Sequence, residues 1–314
     1  MTTTPRTAFP ASGTVVTDAG LETWLIFDRG VDLPEFAAYP LAATPDGRAL
    51  LDEYYASYVA IADRVGAHLV LETPTWRANP DWAARLGHDR AALGAYLDAG
   101  VDAVARVRER TTRDTTFLVS GAVGPRGDGY VVGDVMDADA AAEYHSFQIA
   151  RMAAAGADLV TAMTLGYVDE AVGVARAAAS AGIPAVIAFT VETDATLPCG
   201  LPLADAIEAT DAATDGYATH YMVNCAHPTH FLPVLDATRP AFGRVAGVRA
   251  NASTMSHAEL DEMTELDDGD PEELAARYLE LREVLPQLRV LGGCCGTDHR
   301  HVAAIVDAWG RPGA

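Results

Sequence analysis

Residues 156–190 read GADLVTAMTLGYVDEAVGVARAAASAGIPAVIAFT and contain a short apolar segment, a helical segment and a second apolar segment. The two apolar segments, Asp158–Met163 and Ala185–Thr190, do not alternate cleanly between apolar and polar residues. This pattern is typical of parallel strands that are covered on both faces. Val168–Ala181 between them predicts a helix, and the Gly182-Ile183 that follows it is a typical helix end. The stretch therefore predicts a strand–helix–strand unit with parallel strands.

The same alternation repeats along the whole chain. Eight strands are predicted, at Thr14–Asp18, His68–Glu72, Thr116–Gly121, Asp158–Met163, Ala185–Thr190, Thr219–Cys225, Arg244–Asn251 and Val290–Gly293. Eight helices are predicted, at Leu50–Gly66, Arg90–Thr111, Ala138–Ala155, Val168–Ala181, Leu203–Ala213, Thr229–Asp236, Pro271–Leu285 and Asp298–Trp309. This order predicts a single α/β domain, a (β/α)8 TIM barrel that covers residues 1–314. An open doubly wound sheet is the alternative, although no GxGxxG turn follows the first strand.

The amino-acid composition limits which reactions and which binding partners are expected. The 314 residues carry a net charge of −22, which argues against nucleic acids and anionic membranes as partners. All 22 basic residues are arginine, so no lysine is present for Schiff-base chemistry. No apolar run is long enough to span a bilayer and no signal peptide is recognisable, so we expect a cytoplasmic protein. The sequence does not decide between a monomer and a homo-oligomer.

Three of the four cysteines follow predicted strands. Cys225 ends strand six, and Cys294 and Cys295 follow strand eight. In a barrel all three cysteines would therefore lie at the same end, because the carboxyl ends of the strands meet there. Three thiolates suit Zn²⁺ and leave one coordination position free, as catalytic zinc sites do. Gly293 and Gly296 flank the pair and allow the backbone to bend there. Two other interpretations remain open, namely small buried residues without function and a redox pair of neighbouring cysteines.

Several motifs, taken together, resemble those of the homocysteine S-methyltransferase family. The specific ones are Asn224-Cys225 and the Gly-Gly-Cys-Cys-Gly segment at residues 292–296. Weaker matches are Thr17–Gly20 with Thr23, Ser120–Pro125, Phe189–Glu192 with Gly200–Leu203, and Asn251. The resemblance therefore covers almost the whole chain.

The resemblance implies a zinc-dependent methyltransferase that methylates the thiol of homocysteine and forms methionine, and thus a role in methionine biosynthesis. Cys225, Cys294 and Cys295 would bind the zinc ion and act through it. The partners would be a small thiol acceptor and a small methyl donor, for which a sulfonium such as S-methylmethionine or S-adenosylmethionine is expected. Asp18 would bind the amino-acid end of the acceptor. Asn251 would lie beside the zinc, either as an oxygen ligand or as a turn residue.

The sequence also departs from the family pattern. Met163 stands where the family has a glutamate, at the end of strand four, that binds the substrate ammonium. Glu72, at the end of strand two, is the predicted replacement for this charge, unless it pairs with a nearby arginine such as Arg77. Trp76 is predicted either to stack on a methylated cation or to pack. Two functional alternatives follow, a zinc- or thiol-binding barrel that has lost methyl transfer and a redox protein with neighbouring thiols.

Overall fold

The computed structural model describes residues 8–310 and contains a closed barrel of eight parallel strands in the order β1 to β8. The strands are β1 (Val15–Val16), β2 (His68–Glu72), β3 (Phe117–Val123), β4 (Leu159–Leu165), β5 (Ala185–Phe189), β6 (Tyr221–Asn224), β7 (Val245–Ala250) and β8 (Val290–Gly293). The barrel closes because Val15 and Val16 of β1 pair with Val290 and Leu291 of β8. The prediction of a (β/α)8 barrel is confirmed, and the open doubly wound sheet is excluded.

Helices surround the barrel. They are α1 (Pro45–Val65), α2 (Pro80–Arg85), α3 (Arg90–Arg110), α4 (Ala138–Ala155), α5 (Val168–Ala181), α6 (Leu203–Thr214), α7 (Pro228–Phe231), α8 (His257–Asp261), α9 (Pro271–Val284) and α10 (His299–Trp309). A helical turn at Leu21–Thr23 continues into a π-helix at Trp24–Asp28, and 3₁₀ turns lie at Pro34–Phe36, Tyr39–Ala43, Leu232–Val234 and Pro240–Arg244. Within residues 8–310, no helix has the length and apolar character of a membrane span.

Within residues 8–310, each of the seven long helices was predicted. Two predictions differ from the structure, one in where the helix begins and the other in how long the helix is. Helix α1 begins at Pro45 rather than Leu50, because the Thr44 side chain accepts a hydrogen bond from the N–H of Gly47 and caps the helix. The predicted helix Thr229–Asp236 is only the short α7 followed by a 3₁₀ turn, since Pro233 has no N–H to continue a helix. Helices α2 and α8 were not predicted.

Two apolar clusters hold the barrel together. The smaller one contains side chains from seven of the eight strands in mutual contact, so it fills the barrel interior: Val15, Val70, Leu118, Leu159, Met163, Val186, Ala188, Met222 and Val290. The larger cluster packs the outer faces of the strands against the helices. The interior cluster reaches Met163 near the carboxyl end of β4, and the polar site begins beyond this point.

Close packing of α4 on α5 supplies the first prediction. A Cβ atom at Gly173 of α5 would lie 2.4 Å from Cβ of Ala141 and 2.7 Å from the Ala142 nitrogen of α4. Alanine normally favours a helix over glycine by about 1 kcal/mol. Because the clash here is with backbone, we expect Gly173→Ala to destabilise the fold by about 1–3 kcal/mol, measured by urea unfolding. Gly243→Ala is the control, since its Cβ would have nothing within 4 Å, and an equal loss in both variants would contradict the packing argument.

Candidate metal and thiol site

The three cysteines predicted as metal ligands lie together at the carboxyl end of the barrel. Sγ of Cys225 is 2.8 Å from Sγ of Cys294 and 3.5 Å from Sγ of Cys295, and all three sulfur atoms lie within 4.8 Å of one another. The fourth cysteine, Cys199, is exposed on a loop and is not part of this group. Residues from the ends of two strands therefore form one cluster of thiols.

Hydrogen bonds to the backbone of Cys225 fix the position of its side chain. Cys225 has a left-handed backbone conformation, with φ of 55°. Its carbonyl oxygen accepts hydrogen bonds from Nδ2 of Asn251 at 3.1 Å, Oγ1 of Thr190 at 3.4 Å and Nε2 of His257 at 2.6 Å. These three donors compensate the strain of a conformation that is uncommon for a residue with a side chain. Asn251, a predicted site residue, thus supports a cysteine directly.

The two glycines beside Cys294 and Cys295 have different roles. Gly296 has a φ of +76°, which turns the chain immediately after the pair, as the sequence predicts. At residue 293 a glycine is needed because Thr297 packs against it, and a Cβ atom there would lie 2.0 Å from Oγ1 of Thr297. Thr297 donates a hydrogen bond of 2.6 Å to the Cys294 carbonyl, which secures the turn.

The cluster favours one thiolate, at Cys294. Hydrogen bonds from the thiols of Cys225 and Cys295 hold the pKa of Cys294 well below its ordinary value, and the guanidinium of Arg249 lowers it further. The same hydrogen bonds to Cys294 raise the pKa of Cys225, and those to both neighbouring sulfurs raise the pKa of Cys295. A divalent cation would compensate the charge of all three sulfurs as thiolates, since metal ligation deprotonates thiols.

The donor set fits a zinc ion. Around zinc, with Zn–S bonds of about 2.3 Å, three tetrahedral sulfur ligands lie about 3.8 Å apart. The observed separations from Cys225 are shorter than this, so side-chain movements of about 1 Å would open the cluster to that size. Three sulfur ligands would leave the fourth position for another group.

Tyr130 is a site residue that the sequence analysis did not identify. Its hydroxyl group lies 3.0 Å from Sγ of Cys225 and 3.9 Å from Sγ of Cys295. The ring contacts the imidazole of His257, with 4.2 Å between ring centroids. Asp128 holds the loop by accepting hydrogen bonds from the N–H groups of Tyr130 and Val131. Tyr130 therefore brings the loop between β3 and α4 into contact with the thiols.

A cavity of about 400 Å³ opens beside the cysteines, and the predicted substrate residues lie on its wall. Asp18, Glu72 and Asn251 line it, as do Met163 and Trp76. The acidic segment 259–270 also contributes to the wall, through both apolar and acidic side chains: Leu260, Asp261, Met263, Glu265, Leu266 and Asp267.

A buried charge cluster forms the inner end of the cavity. Nη2 of Arg249 donates to Oδ1 of Asp18, and Nη1 of Arg249 lies 3.7 Å from Oε1 of Glu72. Burial raises the pKa of Asp18 and Glu72, the latter to about 7, while the Arg249 charge opposes both shifts. Arg249 was not predicted as a site residue. Glu72 therefore does form an ion pair with an arginine, as the alternative prediction allowed, but the partner is Arg249, whereas Arg77 stacks on the rings of Trp76 and Trp82.

His227 shapes the loop after β6. Its Nδ1 accepts a hydrogen bond from the N–H of Thr229 at the start of α7, and its Nε2 lies 3.6 Å from Oε2 of Glu273. His227 is not in the cluster of thiols. His227 is therefore a residue of the loop and not a member of the group that could hold a metal ion.

Comparisons with known proteins agree with the fold and the motifs. The profile of a family described as "Homocysteine S-methyltransferase" matches residues 15–309. The oxidised form of the homocysteine methyltransferase MmuM from Escherichia coli is similar in structure, with 22% identity over 95% of this chain and 96% of that chain and a TM-score of 0.73. Its metallated form gives 23% identity over 94% and 96% of the two chains and a TM-score of 0.72. No curated protein sequence matches this chain.

The Tyr130 contact leads to a prediction about metal affinity. The hydroxyl hydrogen bond lowers the pKa of Cys225, so its removal in Tyr130→Phe makes this thiol harder to deprotonate. We expect zinc affinity at pH 7 to fall by roughly 10-fold, because loss of a group that supports a metal ligand typically costs about 10- to 100-fold. Competition for zinc with a chromophoric chelator measures the affinity. Tyr96→Phe is the control, because Tyr96 contacts Tyr39 and His88 instead. Equal zinc affinity in wild type and Tyr130→Phe would contradict the argument.

The pKa of Glu72 leads to a prediction about stability. Burial raises this pKa from 4.5 to about 7, so between these pH values the folded protein binds more protons at Glu72 than the unfolded chain does. The contribution of Glu72 to stability is therefore present below pH 4.5 and is lost as the pH rises to about 7. We expect the unfolding free energy of wild type to decrease relative to that of Glu72→Gln across this range. Denaturant unfolding of both proteins at several pH values measures the difference, and a difference independent of pH would refute it.

Proposed function

The chain belongs to the homocysteine S-methyltransferase family and is a thiol methyltransferase, and we propose that it methylates homocysteine or a related small thiol with a sulfonium donor. The donor would be S-methylmethionine or S-adenosylmethionine, and the product methionine or an analogue of it. The observation that carries the proposal is the group of three thiols on the wall of a cavity that also contains a buried charge cluster. MmuM, a homocysteine methyltransferase of similar fold with a metallated form, supports it.

Cys225, Cys294 and Cys295 would hold the zinc ion. Zinc supplies one chemical effect, which is to lower the pKa of the acceptor thiol so that a thiolate is present at neutral pH. The protein supplies the rest. The three hydrogen bonds to the Cys225 carbonyl hold that ligand in place, and the Arg249 charge favours thiolate at Cys294.

Methyl transfer itself needs alignment and a dry pocket. A lone pair of the acceptor sulfur forms the new C–S bond, while the old C–S bond of the sulfonium breaks and leaves its electron pair on a neutral thioether. Positioning two reactants for in-line attack accounts for a large share of such a rate enhancement. Apolar walls from Met163, Leu260 and Leu266 would exclude water from the reacting sulfur.

The outer part of the cavity suits a positively charged donor. Phe36 and Trp76 lie on its wall with their rings in an edge-to-face arrangement, 6.4 Å between centroids. Glu22 lines the same cavity. Aromatic rings and a nearby carboxylate attract a methylated cation, and the Arg77 guanidinium stacks 4.3 Å from the Trp76 ring centroid, so this aromatic wall already accommodates a cation. This composition supports a sulfonium over a neutral methyl donor.

At the inner end, we propose that Asp18, Glu72 and Asn251 contribute to the acceptor site. Glu72 would supply the negative charge that is absent at Met163, because both residues line the same cavity. A redox role for Cys294 and Cys295 alone is less consistent with the site, since the third thiol of Cys225 lies in contact with them.

Metal analysis combined with a methyl transfer assay tests the proposal. We expect about one zinc per chain and formation of methionine from S-methylmethionine or S-adenosylmethionine with homocysteine. Cys225→Ala and Cys294→Ala should lose most of the bound zinc and on the order of 100-fold or more of the activity, because each removes one of three protein ligands.

Cys199→Ala is the matched control, because Cys199 is exposed and does not belong to the cluster, and it should retain both zinc and activity. A zinc-loaded protein that methylates no thiol with either sulfonium or with betaine would instead support a binding protein without catalysis. A metal-free preparation whose Cys294 and Cys295 form a reversible disulfide would support the redox alternative.

A further inference from the structure

Buried polar atoms on the cavity wall lack a hydrogen-bond partner. Three of them are Nη1 of Arg249 and Oε2 of Glu72, on residues that are 5% and 6% exposed, and Oδ1 of Asn251 beside Cys225. All three residues line the cavity. Unpaired buried donors and acceptors are costly, and in native proteins they usually indicate an absent ligand or water. The cavity wall therefore offers an N–H donor on a cation, an oxygen acceptor on an acid and, next to the cysteines, an amide oxygen acceptor.

The remaining atoms of the Arg249 guanidinium are fixed. Nε donates to the Gly293 carbonyl at 3.0 Å, and Nη2 donates to Oδ1 of Asp18 and to the Ala19 carbonyl. Oδ2 of Asp18 in turn accepts from the N–H of Glu72 at 3.2 Å. Each carboxylate oxygen of Asp18 is thus engaged by the protein, which makes Asp18 a positioning residue for Arg249 and Glu72.

The position of Arg249 relative to the thiols is also fixed. Gly293, which accepts the Nε hydrogen bond, directly precedes Cys294 in the chain. The guanidinium and the Cys294 sulfur are near enough for their charges to interact. A ligand that places sulfur at the cysteine cluster can therefore place a polar group only a few bonds away at Arg249 and Glu72.

We propose that Arg249 and Glu72 together determine acceptor specificity, with Nη1 of Arg249 donating to a carboxylate of the thiol and Glu72 accepting from its ammonium group. This inference rests on the proposed thiol methyl transfer and adds to it a specificity-determining residue, Arg249. The pair spans β2 and β7, and Arg249 adds a carboxylate contact to the ammonium contact proposed for Glu72.

The chemistry of the pair disfavours simpler thiols. A thiol without a carboxylate leaves the Arg249 N–H unpaired in a buried site, and a thiol without an amine leaves the Glu72 oxygen unpaired beside an incoming negative charge. A zwitterion satisfies both atoms and adds no net charge to an acidic cavity. A bidentate guanidinium is also better suited than an ammonium to hold Asp18 and a ligand carboxylate at once.

A set of three thiols tests the proposal with the zinc-loaded protein. Homocysteine carries both groups, 3-aminopropane-1-thiol lacks the carboxylate, and 4-sulfanylbutanoate lacks the amine. We expect calorimetric dissociation constants for homocysteine that are about 10- to 100-fold lower than for either of the other thiols. The ratio of constants within one preparation does not depend on how much of that preparation is active.

Variants then assign each preference to a side chain. In Arg249→Lys we expect most of the preference for homocysteine over 3-aminopropane-1-thiol to disappear, while 3-aminopropane-1-thiol itself binds as before. In Glu72→Gln we expect loss of the preference over 4-sulfanylbutanoate instead. Arg289→Lys is the matched control, because Nη1 of Arg289 is also buried and unpartnered but this residue precedes β8 at the opposite end of the barrel.

The outcomes separate this inference from the proposed function. Equal binding of homocysteine and 3-aminopropane-1-thiol by wild type would overturn the inference even if both were methylated, and no variant is needed to see it. An unchanged preference in Arg249→Lys with normal zinc content would also overturn it. Selective binding without methyl transfer by any donor would support the inference while the proposed function fails.

Discussion

Two backbone hydrogen bonds to β7 hold the site together. The N–H of Cys225 donates to the carbonyl of Arg249 at 3.1 Å, and the N–H of Cys294 donates to the carbonyl of Ala250 at 2.8 Å. Because β7 lies between β6 and β8, this ladder brings together thiols that are about 70 residues apart in the chain. A slip of one residue in either pairing would turn the cysteine side chain to the other face of the sheet. The cluster therefore depends on the register of the closed barrel more than on any single side-chain contact.

Strand β7 also supplies Arg249, the cation that compensates the buried carboxylates of the cavity. Asp18 and Glu72 are buried close to each other, and like charges in such a place oppose ionisation. Arg249 compensates them and also favours the Cys294 thiolate. One guanidinium thus links the thiol cluster to the group that we propose for acceptor recognition, and a change at Arg249 would affect both. The carboxylates alone could not provide this link, because they raise the pKa of neighbouring thiols.

The barrel and its three thiols could be predicted because both follow from repeated, local features of the sequence. Eight apolar segments alternate with helices, and Cys225, Cys294 and Cys295 each follow a strand, so the parallel topology alone places them on one face. Arg249 was missed because a basic residue within a strand gives no sign of whether it points into the barrel or out of it. Tyr130 was missed because its contact with Cys225 depends on the path of a loop, which sequence periodicity does not describe.

The proposed replacement of a carboxylate at β4 by Glu72 at β2 would have a geometric consequence. Met163 and Glu72 lie on strands that flank β3 on either side, so the negative charge would lie two strands further around the cavity wall while the cysteines remain at β6 and β8. A thiol held through its sulfur would then turn its polar end toward β2 and β7 and away from Met163. The apolar Met163 side chain also belongs to the interior cluster, so it contributes packing at the end of β4. On the proposed assignment, acceptor recognition could change in this barrel without altering the metal chemistry, because different strand ends would carry the two functions.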